Sequence, residues 1–261
     1  MSGIEMIALA AAGAVAGVVN AVAGGGTLIT FPALLFFGTP AIIANATSTL
    51  ALVLGMGGSV YAYRRPIAAV KPWLRRFVPV SLLGGLIGGI LLTLTSERFF
   101  SRMVPFLIFF ATIVFLAQGA FRRFAGFEGA SSAAVASNHR AVWAAILFQF
   151  LVSVYGGYFG AGIGILMLAS LGILGLTDIH EMNGLKTVLG LLINLIAAAY
   201  FAFSGLIDWP KTAVMTVGAL GGYFLGAHFS QRIPQRYVRQ MITTVGLLIS
   251  GITFYKEFVQ R

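Results

Sequence analysis

Two short glycine-rich stretches interrupt long apolar runs, and they are the first places where this chain could do chemistry. They read Ala23-Gly24-Gly25-Gly26-Thr27 and Gly160-Ala161-Gly162-Ile163-Gly164. Glycine reaches backbone angles closed to other residues and lets a ligand come close to the main chain. A helix broken in lipid frees polar backbone groups that protein, water or a ligand must satisfy. A short helix starting after such a break offers bare N–H groups and a positive dipole end, which favour an anion. Gly24, Gly25, Gly26 and Thr27 in one stretch and Gly162 and Gly164 in the other are therefore candidate substrate-binding residues. Close helix packing through small residues is the competing account, and it suits the glycines of 83–89 and 218–226 well.

A second constellation follows each stretch. Asn45 with Thr49, and Asn183 with Thr187, stand four residues apart and so share a helix face. Each pair could donate to an oxyanion, or the asparagines could simply cap helix starts. Lys186 begins an otherwise apolar span and stands where the first constellation has Ser48. An intramembrane cation is costly and calls for a partner, so Lys186 is read as a counter-charge for the anion, with snorkelling to the interface as the alternative. Asp178, His180 and Glu181 could relay protons for coupling, although a solvated loop is the plainer reading of all three.

The elements that must position these residues are hydrophobic helices. Of 261 residues 59% are hydrophobic and 9% charged, where a soluble domain carries about a quarter charged. Runs long enough to cross a bilayer occupy 4–22, 43–63, 74–95 and 99–121 in the first half. In the second they occupy 142–159, 185–206, 212–229 and 238–258. Two shorter apolar pieces, 28–37 and 165–176, each follow a glycine stretch. The first run has Glu5 in place of a basic start, which reads as a retained membrane segment and not a signal peptide. The chain is thus expected to be an all-α, polytopic membrane protein.

Shifting the chain by 138 positions superposes Gly24 on Gly162, Gly26 on Gly164, Thr39 on Thr177, Asn45 on Asn183, Thr49 on Thr187, Pro72 on Pro210 and Arg98 on Arg236. Such coincidences mark a duplication. Residues 1–125 form the first repeat, 126–140 a polar linker and 141–261 the second. Lys and Arg counts in the loops give eleven against five whether the halves run the same way or oppositely, so charge does not orient them. Length favours inversion: residues 4–37 as one helix would be about 50 Å long, against a hydrocarbon core of about 30 Å. A helix that breaks and returns leaves three further crossings per half, an inverted repeat like those of many transporters.

The net charge of +10 is ascribed to loops flanking membrane spans, not to nucleic-acid binding. With no cysteine, three widely spaced histidines and no hydrolase signature, no enzyme, metal site or cofactor is expected.

Gly24-Gly25-Gly26, then Phe31-Pro32-Ala33-Leu34-Leu35, Ala44-Asn45-Ala46-Thr47-Ser48 and Tyr61-Ala62-Tyr63-Arg64-Arg65, with a second glycine cluster and Asn183-x-x-Lys186, resemble the sulfite exporter TauE/SafE family. The likeness covers nearly the full chain, with Ala161, Ile163 and Ser170 departing from the family pattern. It implies a transporter in a bacterial or archaeal cytoplasmic membrane that moves sulfite, sulfonates or related carboxylates, often outward. Alternating access is expected to rock one half against the other. A passive anion channel and a non-transporting structural subunit are the rival readings. The expected partners are the bilayer and a small anion, and a homodimer is compatible with the sequence.

Overall fold

A computed structural model describes residues 1–22, 25–62, 70–125, 139–173, 179–229 and 235–258. Ten helices and no strand are found among them: α1 (Gly3–Val22), α2 (Thr27–Phe36), α3 (Ala41–Ala62), α4 (Lys71–Leu94), α5 (Glu97–Ala125), α6 (His139–Tyr158), α7 (Ile163–Ile173), α8 (Ile179–Phe203), α9 (Trp209–Phe229) and α10 (Gln235–Phe258). All ten apolar segments anticipated from the sequence are helices. Among the described residues, 3–21, 71–94 and 181–203 are long and apolar enough to cross a membrane. Large apolar side chains such as Phe109, Ile113, Leu147, Leu151 and Leu220 stand exposed, as a lipid-facing surface requires.

Both expected breaks are present. Helix α1 ends at Val22 and α2 starts at Thr27; α6 ends at Tyr158 and α7 starts at Ile163. Gly25, Gly160 and Gly162 have φ of 96°, 80° and 80°, the left-handed region that a side chain makes costly. The chain turns back at the first break, because Gly26 lies against Ala16 and Asn20 of α1.

The tightest packing runs between elements far apart in sequence. On α9, Gly218 lies on Ala10, Gly222 on Ala14 and Gly226 on Val18 of α1, so the two helices run side by side in the same direction. On α4, Gly84 lies on Phe150 and Ser153, and Gly88 on Val154 and Tyr158, so α4 and α6 also run in the same direction. At each of these glycines an added Cβ would strike main-chain atoms of the partner helix. These contacts are small-residue helix packing, the account that the sequence favoured for 83–89 and 218–226.

One end of the bundle is pinned by charge. Lys211 Nζ lies 3.2 Å from Glu5 Oε1, 3.7 Å from Asp208 Oδ2 and 2.9 Å from Thr39 Oγ1. The Glu97 carboxylate accepts from the amides of Ala41 and Ile42 at the start of α3. The starts of α1, α3, α5 and α9 therefore share this end.

Two sequence expectations need correction. Helix α8 starts at Ile179, six residues before the expected span, so the backbones of His180 and Glu181 are helical and Glu181 is half-buried, not part of a solvated loop. The polar residues 178–184 concealed a helical start that apolar content alone does not mark. Of the expected linker, His139 and Arg140 already belong to α6, and 126–138 lie outside the described residues.

Candidate membrane-embedded binding site

The two breaks are built differently. At the first, the Gly26 amide donates to Asn20 Oδ1 at 2.7 Å, and Asn20 Nδ2 donates to the Tyr223 hydroxyl at 2.9 Å. Leu28 donates to the Gly25 carbonyl, and Ile29 and Thr30 to that of Gly26. The Thr30 and Ser48 hydroxyls pair at 2.6 Å, tying α2 to α3. Gly26 is thus not a bare donor, contrary to the sequence expectation: a side chain from the preceding helix takes the place proposed for a ligand. Gly25 and Thr27 are half-buried at the turn, and Gly24 lies outside the described residues.

At the second break, the Tyr155 hydroxyl donates to the Ala161 carbonyl at 2.8 Å and pins the turn. Ile165 and Leu166 donate to the Gly162 carbonyl and Ile163 to that of Gly160, leaving the Gly164 amide without an acceptor among the described residues. Gly164 carries the stem of Lys186: an added Cβ would lie 3.2 Å from Cδ and 3.8 Å from Cε. Lys186 is half-buried, in the second turn of α8. Gly162 faces Ala111 and Val114 of α5 at ordinary contact distance, so it shapes the turn and packs on a helix.

Asn45 reaches this second break from the other half. Its Nδ2 donates to the Tyr158 carbonyl at 2.9 Å, and its Oδ1 is buried with no protein partner among the described residues. Phe31 of α2 packs edge-on against Phe159, with ring centroids 5.4 Å apart, beside Phe100. Asn45 is the fifth residue of α3 and Asn183 the fifth of α8, so neither is a cap and that reading is set aside. The Thr49 hydroxyl does not complete a donor pair with the Asn45 side chain; it donates to the Asn45 carbonyl at 2.8 Å. Asn183 is half-buried and Thr187 buried, three positions before Lys186 and one after it. Neither glycine turn has the other among its nearest neighbours.

Of the coupling candidates, Asp178 lies outside the described residues, and of His180 only the helical backbone is described. Asn194 donates to the Gly190 carbonyl of its own helix at 2.8 Å and turns Oδ1 towards Gly160. Asn20, Tyr155 and Tyr223 were not among the expected site residues; each acts across a turn or between halves, which spacing along the chain does not reveal. An apolar cleft of about 450 Å³ between α2, α5 and α10 is lined by Pro32, Phe36, Val104 and Ile252 among others, and by none of the candidate binding residues.

Comparison with known proteins agrees with this picture. The profile described as Sulfite exporter TauE/SafE matches residues 9–253. A probable membrane transporter protein of Haemophilus influenzae is 30% identical, covering 98% of this chain and 97% of its own. Probable membrane transporter proteins of Sinorhizobium (ORF9) and of Escherichia coli K12 (YfcA) are 24% and 23% identical, covering 90% and 94% of this chain and 87% and 88% of theirs. No solved structure matches. With a profile that runs almost end to end over apolar, twice-broken helices, this chain is a multi-pass membrane transporter and belongs to the sulfite exporter TauE/SafE family.

Proposed function

We propose that the protein is a secondary transporter that exports a small anion, a sulfite, organosulfonate or related carboxylate, by alternating access. The observation that carries this reading is Lys186 lying along Gly164 in the first turn of α7. A cation and a helix N-terminus at one place in an apolar bundle make a site for negative charge. Asn45 adds a polar carboxamide from the other half. Asn183 and Thr187 accompany Lys186 on α8, and Gly25 and Thr27 form the corresponding turn of the first half. The sulfur chemistry of the cargo rests on the family name. Glu181 and His180, at the start of α8, and Asp178 just before it are the groups through which protons would couple.

The halves are proposed to be inverted. Helix α1 begins, and α4 ends, at the end of the bundle pinned by Lys211 and Glu97. Since α6 runs with α4, it runs against α1, its counterpart in the repeat. This arrangement puts eleven loop Lys and Arg at the opposite end and five at the Lys211 end. By the positive-inside bias the Lys211 end then faces outward and the cytoplasmic membrane is the host.

The test is a binding screen of purified protein with sulfite, sulfate, sulfoacetate, taurine and small carboxylates, followed by flux in proteoliposomes. Saturable binding of an anion, and its accumulation against a gradient when a proton gradient is imposed, are expected. Flux that follows voltage alone would make the protein a channel. No flux from protein that remains folded would leave a structural subunit.

A further inference from the structure

We infer that the bodies that move during transport are not the two sequence halves but two exchanged bundles, α1–α2–α3 with α9 and α6–α7–α8 with α4. This rests on the alternating-access reading and concerns which surfaces slide.

The packing of α1 on α9 and of α4 on α6 is main chain against main chain. Gly13 and Gly17 of α1 lie on the Met215 and Ala219 carbonyls of α9, and Gly218 and Gly222 of α9 lie on the Ala10 and Ala14 carbonyls of α1. In the second bundle Gly88 lies on the Val154 carbonyl and Gly157 on that of Gly85. Gly55 of α3 holds the Tyr223 ring of α9, and Gly85 of α4 meets Ile193 and Ile196 of α8. The short helices belong to the same bodies: α2 is tied to α1 by Asn20 and to α3 by the Thr30–Ser48 pair, while α7 is tied to α6 by Tyr155 and to α8 by Lys186. Interlocked backbones of this kind cannot slide without separating, because close-packed interiors rearrange in discrete steps and do not deform smoothly.

The contacts between bundles are of another kind. Helices α3 and α8 meet at Met56 and Gly190, where an added Cβ would sit at an ordinary 3.8 Å from the flexible methionine end. Further links are the Asn45 bond to Tyr158, the Phe31–Phe159 ring pair and an apolar cluster that includes Ala44 and Ala46 of α3 and Ala197 and Phe201 of α8. These are side-chain contacts that can be remade elsewhere, and the first two lie at the second break. Helices α5 and α10 pack on each other through Ser250, which donates to the Pro105 carbonyl, and the Phe106 and Phe254 rings. Helix α5 also touches both bundles, through Phe100 on Phe31 and Phe159 and through Ala111 and Val114 on Gly162.

If the halves themselves moved, the α1–α9 and α4–α6 interfaces would have to open, since each joins one half to the other. The chain has no cysteine, so introduced pairs report cleanly. Spin labels on Val15→Cys with Leu220→Cys, both exposed, span α1 and α9 within one bundle; labels on Leu54→Cys with Leu195→Cys, also exposed, span α3 and α8 between bundles. The first pair is expected to show one distance with and without a bound anion, and the second to show two populations whose ratio the anion shifts. A changing Val15–Leu220 distance, or two static pairs, overturns the proposal whether or not flux is seen. In proteoliposomes, linking Ser81→Cys to Gln149→Cys, whose native side chains touch at 3.0 Å across α4 and α6, should leave flux standing. Linking Met56→Cys to Gly190→Cys should cut it by at least about tenfold, because only that link spans the sliding surface. The reverse pattern refutes the exchanged bundles while keeping the transporter. A parent protein that shows the two-population distances but no flux keeps the bundles and removes the transport reading.

Discussion

The first glycine break closes on the side chain of Asn20, whereas the second carries the stem of Lys186. At Gly26 the amide meets Asn20, which is itself held by Tyr223. At Gly164 the amide meets no described acceptor, and the stem of Lys186 lies against the glycine where a Cβ would be. Both halves carry a glycine turn, with different side chains around it. Tyr158 stands where the first half has Asn20, and Lys186 where it has Ser48. The side chain that fills the first turn is thereby absent from the second, and a cation is added there. A helix end in lipid must be satisfied by something, and at Gly26 the Asn20 side chain does so.

Three substitutions would break or sharpen this contrast. Lys186→Met removes the cation at the second break; the loss of a charged hydrogen bond, about 1.5–3 kcal/mol, should weaken anion binding roughly ten- to a hundredfold by calorimetry. Unchanged affinity in folded protein would strip the second break of its special standing. Asn20→Ala should do the opposite: orphaning the Gly26 amide costs about 1–3 kcal/mol of stability, seen as a lower thermal midpoint, with anion affinity preserved. If affinity falls with Asn20 as steeply as with Lys186, both breaks bind cargo and the distinction dissolves. Gly162→Ala is the mildest, about 1–2 kcal/mol of stability lost to left-handed backbone, since its Cβ would find 3.7 Å of room. Such a change should lower the melting midpoint by a few degrees and leave binding measurable; no shift at all would mean that the turn relaxes freely.

Much of the architecture was legible in the chain. Glycine clusters inside apolar runs, followed by apolar pieces too short to span, predicted two broken helices, and α2 and α7 begin where they should. Lys186 was singled out as the cation in an apolar span, and it lies at the second break. Less legible was which polar groups were already spent. The Asn45–Thr49 pair looks like two donors on one face, but Thr49 bonds back to the main chain of its own helix, and Asn45 turns to Tyr158 more than a hundred residues away. Asn20, a polar residue within the first apolar run, fills the first break and bonds to Tyr223. Hydrogen bonds to the backbone of a distant turn leave no periodic mark in sequence.

Composition and spacing alone determined that this is a lipid-embedded helical protein with two interruptions, because the bilayer fixes segment length and apolar content residue by residue. Charge counts could not orient the two units, since both arrangements give the same totals. Only tertiary packing decided which helices lie side by side, and hence that α1 embraces α9 and α4 embraces α6 across the repeat. That choice depends on glycine faces meeting at main-chain distance, a matching of two surfaces that neither stretch of sequence specifies until the other is folded against it.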